Sequence, residues 1–301
     1  MEKKEYGLVL SGGGGKGAYQ VGALQVLDEM GILPKIKAVS GSSVGCLNMA
    51  LLAQNNMEQM VSVWDNIDYR DFVSPDELGF VPGQEGDGMF SREGLKRIIR
   101  EKITLEYLAS PAVRYFATVC RKNEAGETLL EYVYLNDQPR DKAELYLLAT
   151  SAVPVLYDSV EINGNAYFDG GLKDNCPVLP VYNCGIRDII VISLDYRFTL
   201  DTTQYPGANF YVLRPSTNLD LNTVSGTVDF SKEGAAYRKK LGYLDADASL
   251  RAQLTGGVIP DMSGHKVLAG QEMRMTGMEI KVQKDMEGLS RILGKYGVDL
   301  D

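Results

Sequence analysis

The sequence predicts an α/β protein built around a parallel sheet. Two short apolar runs carry that reading, the first ending in a glycine cluster and the second in a Ser-Gly turn, with a helical pattern after each. Tyr6 to Leu10 reads as a buried strand that runs straight into Ser11. Gly17 to Met30 carries Val21, Leu24 and Leu27 at near-helical spacing, and Gly31 stops it. Ile36 to Val39 reads as the second strand, and a helix from Val44 to Gln54 follows its sharp turn.

The middle of the chain is less regular. Asp65 to Gly88, rich in Asp, Gly, Pro and aromatic residues, reads as a long loop or lid, and a helix from Arg92 to Ile103 follows. Val113 to Arg121 and Thr128 to Leu135 alternate as two strands joined by the turn Asn123 to Gly126. Asp188 to Leu194 reads as a central strand and Phe210 to Leu213 as another short one. Beyond Pro215 the strand signals stop. Residues 216–301 read as a mostly helical extension, with one helix near Gly277 to Lys295.

A chain of 301 residues with 45% hydrophobic and 24% charged residues can bury an ordinary core. Its net charge of −9 argues against nucleic acid as a partner and against a general attraction to anionic membranes. Only Gly7 to Leu10 precede the glycine cluster as an apolar run, whereas a secretory segment needs roughly 7–15 such residues and a membrane helix roughly 20. A cytoplasmic location is the expectation. Cys46, Cys120, Cys176 and Cys184 lack metal-ligand or disulfide-framework spacing, so reduced thiols are expected. His265 is the single histidine.

Three local patterns carry chemistry. Gly41-Ser42-Ser43-Val44-Gly45 is a G-x-S-x-G turn between a strand and a helix, the setting in which a serine is held on a tight, strained corner. Read without chemistry, it is a Gly-Ser turn that caps a helix. Gly12 to Gly15 with Lys16 and Gly17 expose backbone N–H groups at the first strand–helix junction, as an oxyanion hole requires. Gly12, Gly14 and Gly17 also satisfy the dinucleotide signature G-x-G-x-x-G, but the second strand ends in the serine turn and not in a ribose-binding acid. A Walker-type loop fails because Gly17 follows Lys16 and Leu10 stands where the first glycine belongs. Asp169-Gly170-Gly171 presents an aspartate at a strand end, and taken alone it reads as a hairpin turn.

Taken together, these segments resemble a bacterial patatin-like phospholipase. The resemblance rests on SGGGGKGAYQVG (11–22), GSSVG (41–45), ATSAVPVLY (149–157) and YFDGGLKDNCPV (167–178), and it covers residues 5–215. Beyond them it is loose, chiefly at Gly242-Tyr243. It implies a three-layer α/β/α sandwich with a central, mostly parallel sheet and a C-terminal helical extension. It also implies a Ser43–Asp169 dyad in place of a triad, an oxyanion hole at Gly12, Gly13, Gly14 and Gly15, and a lipid or acyl-ester substrate. No metal or organic cofactor is implied, and contact with a membrane surface is expected to be transient.

A triad would have to use His265, which lies far beyond the α/β portion and reads as a solvated loop residue. An ordinary aspartate, with a pKa of roughly 3.9, is a weak base for serine, so burial and a direct hydrogen bond must raise its reach. Lys16 either meets a lipid phosphate or pins the loop. Cys46 reads as a packing residue, Trp64 and the aromatic loop to Phe90 as core packing or an acyl-chain entrance, and Asn175 and Pro177 as residues that shape the turn after Asp169. Two other readings stay open: a silent lipid- or anion-binding module and a dinucleotide-binding oxidoreductase.

Overall fold

The computed structural model describes residues 4–67, 93–123, 125–154, 157–221 and 226–294, with side chains as far as residue 285. In chain order the elements begin with strand β1 (Tyr6–Leu10), a 3₁₀ turn (Gly14–Gly17) and helix α1 (Ala18–Glu29). Strand β2 (Ile36–Ser42), α2 (Val44–Leu52), α3 (Met57–Asn66) and α4 (Glu93–Lys102) follow. Next come β3 (Arg114–Lys122), β4 (Thr128–Tyr134), α5 (Arg140–Thr150), β5 (Val160–Ile162) and β6 (Asn165–Asp169). The chain continues through α6 (Val178–Asn183), β7 (Asp188–Ile192), β8 (Asn209–Leu213) and α7 (Lys232–Asp245). A π-helical turn (Ala246–Leu250), α8 (Arg251–Thr255) and α9 (His265–Gly294) complete it.

The eight strands form one mixed sheet in the order β5-β6-β3-β2-β1-β7-β8, with β4 also on β3. Strands β3, β2, β1, β7 and β8 are mutually parallel, while β4, β5 and β6 join antiparallel. Alternation along the central strands explains the layers. Leu8, Leu10, Ile190 and Ile192 enter one apolar core with α1 and α2, whereas Val9, Ile189 and Val191 enter a second core with Val178 and Val181 of α6. A strand buried on both faces must be apolar at every position, which β1 and β7 nearly are. α7 packs on α1, and α9 packs on α7.

β3 organises the middle of the sheet. β4 lies along one edge of it, from Phe116 to Lys122. The other edge is shared. β2 pairs in parallel as far as Ser42 opposite Thr118, and β6 pairs antiparallel from Tyr167 to Asp169, the latter opposite Val119. The two strands therefore run towards each other along one edge and end at adjacent β3 residues. That is how residues so distant in sequence become neighbours.

Several expectations change. α3 and α5 are helices that the periodicity did not reveal, and the C-terminal helix starts at His265, earlier than expected. The expected lid lies outside the described residues apart from Asp65 to Ile67. Among the described residues no helix is long and apolar enough to cross a membrane.

Candidate active site

Ser43 sits at the corner between β2 and α2 with φ 51° and ψ −127°, a conformation that costs a non-glycine residue about 1–3 kcal/mol. Flanking glycines make the corner possible. A Cβ on Gly41 would lie 2.6 Å from the Cys46 backbone, and one on Gly45 would lie 2.2 Å from the Leu10 carbonyl oxygen. Serine is a favoured helix N-cap, yet here the hydroxyl caps nothing although Ser43 holds that position. The Ser43 N–H instead donates to Thr150 Oγ1 (2.9 Å), whose own hydroxyl donates to the Thr118 carbonyl (2.7 Å). One threonine thus ties the corner to β3 and leaves the serine hydroxyl for the cavity.

Asp169 ends β6 and is 3% exposed. Its N–H donates to the Ala152 carbonyl (2.9 Å), and its Oδ1 accepts from the Gly171 N–H (2.7 Å). Burial raises its pKa from 3.8 to about 6, against the opposing pull of hydrogen bonds from the Ser43 hydroxyl and the Gly171 amide. A carboxyl held there is still ionised at neutral pH and is a stronger base than an exposed one.

The glycine loop divides into used and open amides. Gly12 N–H donates to the Asn175 carbonyl (3.1 Å) and Gly15 N–H to the Thr227 carbonyl (3.0 Å). These two glycines were expected among the oxyanion donors, but their N–H groups are already committed, and Gly15 does not line the cavity. Gly13 and Gly14 do line it, and among the described residues their N–H groups meet no acceptor. Gly14 has φ 55°, and a Cβ there would meet the Thr227 carbonyl oxygen at 2.0 Å, so only glycine fits.

Ser43, Asp169, Gly12, Gly13 and Gly14 all face one cavity of about 390 Å³. Away from them its walls are mostly apolar, with Leu47 and Leu51 from α2, Val63 and Trp64 from α3, Leu95, Ile99 and Ile103 from α4 and its end, and Phe230. His265 is not part of this cavity. It is neither a loop residue nor solvated as expected: it opens α9, and its Nδ1 lies 2.7 Å from Asp245 Oδ1, a fully buried carboxylate that also accepts from the Tyr19 hydroxyl (3.0 Å). Among the described residues no group of three or more His, Cys, Asp or Glu side chains is arranged to hold a metal.

Residues 8–182 match the family described as patatin-like phospholipase, more than half of the chain. The chain belongs to the patatin-like phospholipase family. It is 29% identical over 206 residues to the lysophospholipase NTE1 of Cryptococcus neoformans, covering 64% of this chain and 11% of that protein. It is 26% identical over 209 residues to the neuropathy target esterase sws of Drosophila melanogaster, covering 66% of this chain and 13% of the relative. The chain therefore spans only about a tenth of the length of these relatives. The crystal structure of VipD from Legionella pneumophila shares the fold, with a TM-score of 0.55 and 14% identity over 95% of this chain and 77% of that one.

The patatin-like site also rests on residues that sequence reasoning passed over. Gln20 donates from Nε2 to the Ser11 carbonyl (2.8 Å), and Asn48 donates from Nδ2 to Gln20 Oε1 (2.9 Å) and to the Gly17 carbonyl (3.0 Å). Trp64 Nε1 closes the chain on Asn48 Oδ1 (2.9 Å). This buried network fixes α1, α2 and α3 beneath the glycine loop, and every polar group in it is paired. The only sequence signal was polar residues at helix positions flanked by apolar ones. Asn175, read as shaping its turn, holds Gly12 from both its backbone carbonyl and its side-chain amide (3.3 Å). Cys46 is wholly buried one turn after Ser43, and its thiol is pushed well up by burial and next by the Asp169 charge, which suits packing.

Proposed function

We propose that this patatin-like protein hydrolyses fatty-acyl esters of lipids, with Ser43 as nucleophile and Asp169 as its base. The observation that carries this reading is that one cavity is lined by the serine, the aspartate and two open amides together with mostly apolar walls. An acyl chain along those walls would bring its ester carbonyl to Ser43. As Ser43 Oγ attacks, its proton passes to Asp169, and the N–H groups of Gly13 and Gly14 receive the developing oxyanion. The protonated Asp169 then gives its proton to the leaving alcohol. Water, deprotonated by the same carboxylate, attacks the acyl-enzyme, and the fatty acid leaves with Ser43 restored. Phospholipid and lysophospholipid are the substrate classes to which the family and its lysophospholipase relative point.

Leu172 and Val228, which line the cavity yet are 58% and 40% exposed, are the side chains we assign to transient contact with a lipid surface. Four unpaired thiols suit a reducing compartment, and the cytoplasm is the location we propose.

The test is intact mass after exposure to a fluorophosphonate, on the wild type and on Ser43→Ala, Asp169→Asn and His265→Ala. The expected result is one adduct on wild type and His265→Ala, none on Ser43→Ala and a greatly slowed one on Asp169→Asn. No adduct on folded wild type would sink the hydrolase reading in favour of a silent lipid-binding module. Loss of labelling in His265→Ala alone would replace the dyad with a triad.

A further inference from the structure

Among the described residues Arg238 is the largest fully buried side chain, and it lies outside both the matched family residues and the cavity. A guanidinium out of contact with water needs all its donors paired, and the partners it has chosen are informative. Its Nε donates to the Leu219 carbonyl (3.1 Å), its Nη1 to the Asp229 carbonyl (2.8 Å) and its Nη2 to Asp229 Oδ2 (2.7 Å). One planar fork therefore ties Leu219 to Asp229, and Thr227 and Asp229 lie against the glycine loop.

The contact of Thr227 and Asp229 with the loop is backbone to backbone. The Thr227 carbonyl takes the N–H of Gly15, and Cβ atoms built on Gly14 and Gly15 would meet the carbonyl oxygens of Thr227 and Asp229 at 2.0 and 2.1 Å. Lys16, from the loop itself, pairs with Asp220 Oδ1 (2.9 Å), which also accepts the Gly226 N–H (2.7 Å). Lys16 thus pins the loop, and it does not line the cavity. Gly226 fits between the two cations, since a Cβ there would lie 3.0 Å from Arg238 Nη2 and 3.1 Å from Lys16 Cε. Each cation has its own carboxylate, so the clamp is electrically balanced.

We propose that Arg238 is a positioning residue for the open amides of Gly13 and Gly14, acting through Asp229 and Thr227, with Lys16 and Asp220 as the second half of the clamp. The proposal rests on the acyl-hydrolase reading above. The amides stabilise an oxyanion only if they are held at hydrogen-bond distance from its final position, and a displacement of about 1 Å can cost ~10²-fold. Glycines cannot hold themselves there. The rigid surface formed by Thr227 and Asp229 supplies the restraint, and it comes from the C-terminal part of the chain.

The experiment measures kcat and KM on a soluble short-chain chromogenic ester, per active site counted by fluorophosphonate labelling to completion. Arg238→Lys keeps the charge and loses the fork. We expect kcat per site to fall by about 10–100-fold with KM little changed. A merely structural Arg238 would lower the melting temperature and the number of sites but leave kcat per site at the wild-type value, and that result overturns the proposal. Should Arg238→Lys fail to fold, Lys16→Met and Asp220→Asn are read in the same way, and an unchanged per-site kcat in both overturns it. A wild type that neither labels nor turns over overturns the hydrolase reading and this proposal together, whereas a labelled wild type with unaffected variants overturns this proposal alone.

Discussion

Burying a carboxylate works against folding whenever it is ionised, and Asp169 is in that position. Its pKa is raised from 3.8 to about 6, so the native state holds a proton that the unfolded chain has already released. Stability from this group is full below pH ~4, declines as pH rises to about 6 and stays lost above it. On the proposed mechanism activity runs the other way, because the base works ionised. Asp169→Asn should therefore abolish turnover while raising stability at pH 7.5 by about 2–3 kcal/mol, read from urea melts. kcat/KM should fall roughly tenfold per pH unit below an apparent pKa near 6, in His265→Ala as in wild type. An apparent pKa of about 4 together with no gain in stability in Asp169→Asn would mean that the carboxyl is better solvated than its burial indicates. Thr150 offers a second measurement. Thr150→Val strips the partner from the Ser43 N–H and the Thr118 carbonyl and should cost about 2 kcal/mol or more, while Thr150→Ser keeps both bonds and should cost little.

At the scale of elements, α1 and α7 cross in backbone contact. A Cβ on Gly22 would lie 1.9 Å from the Lys239 carbonyl oxygen, and one on Gly242 would lie 1.9 Å from the Tyr19 carbonyl oxygen. Either glycine replaced by alanine must push the helices apart, and a loss of about 2–3 kcal/mol or more is expected, measured by thermal melting of Gly22→Ala and Gly242→Ala. An unchanged melting temperature would show that the crossing can relax. This reciprocal contact also marks the limit of what could be read in advance. The serine corner, the glycine loop and Asp169 were legible because their demands are local: a strained φ, exposed amides, a strand end. Gly22 and Gly242, Arg238 and Asp229, and Thr150 under Ser43 were not, because each works through a partner brought near only by the tertiary fold. α5 escaped notice because Ala143, Tyr146, Leu147, Leu148 and Ala149 are all buried, which blurs the one-sided apolar stripe that identifies a helix. His265 read as a loop residue because Asp245, its partner, lies on the preceding long helix.

For the whole molecule, the net charge of −9 makes general attraction to an anionic bilayer unfavourable, so the lipid contact proposed above is assigned to exposed apolar side chains. Leu172→Ser should lower turnover of lipid in vesicles about tenfold or more and lower turnover of a soluble short-chain ester much less, because the lost apolar side chain weakens chiefly insertion. Equal losses on both substrates would move Leu172 from the membrane side to the substrate pocket. The shared edge of β3 has a consequence in the order of synthesis. β2 leaves the ribosome early, and β6 only after β3, β4 and the helices between them. Neither strand pairs with the other; each finds its place only on β3. A chain ending before α5 and β6 has neither Thr150 to hold the Ser43 N–H nor Asp169 beside the corner. Ser43 and Asp169 come together only when β6 docks on β3, so on the proposed mechanism an unfinished chain carries its serine without a base.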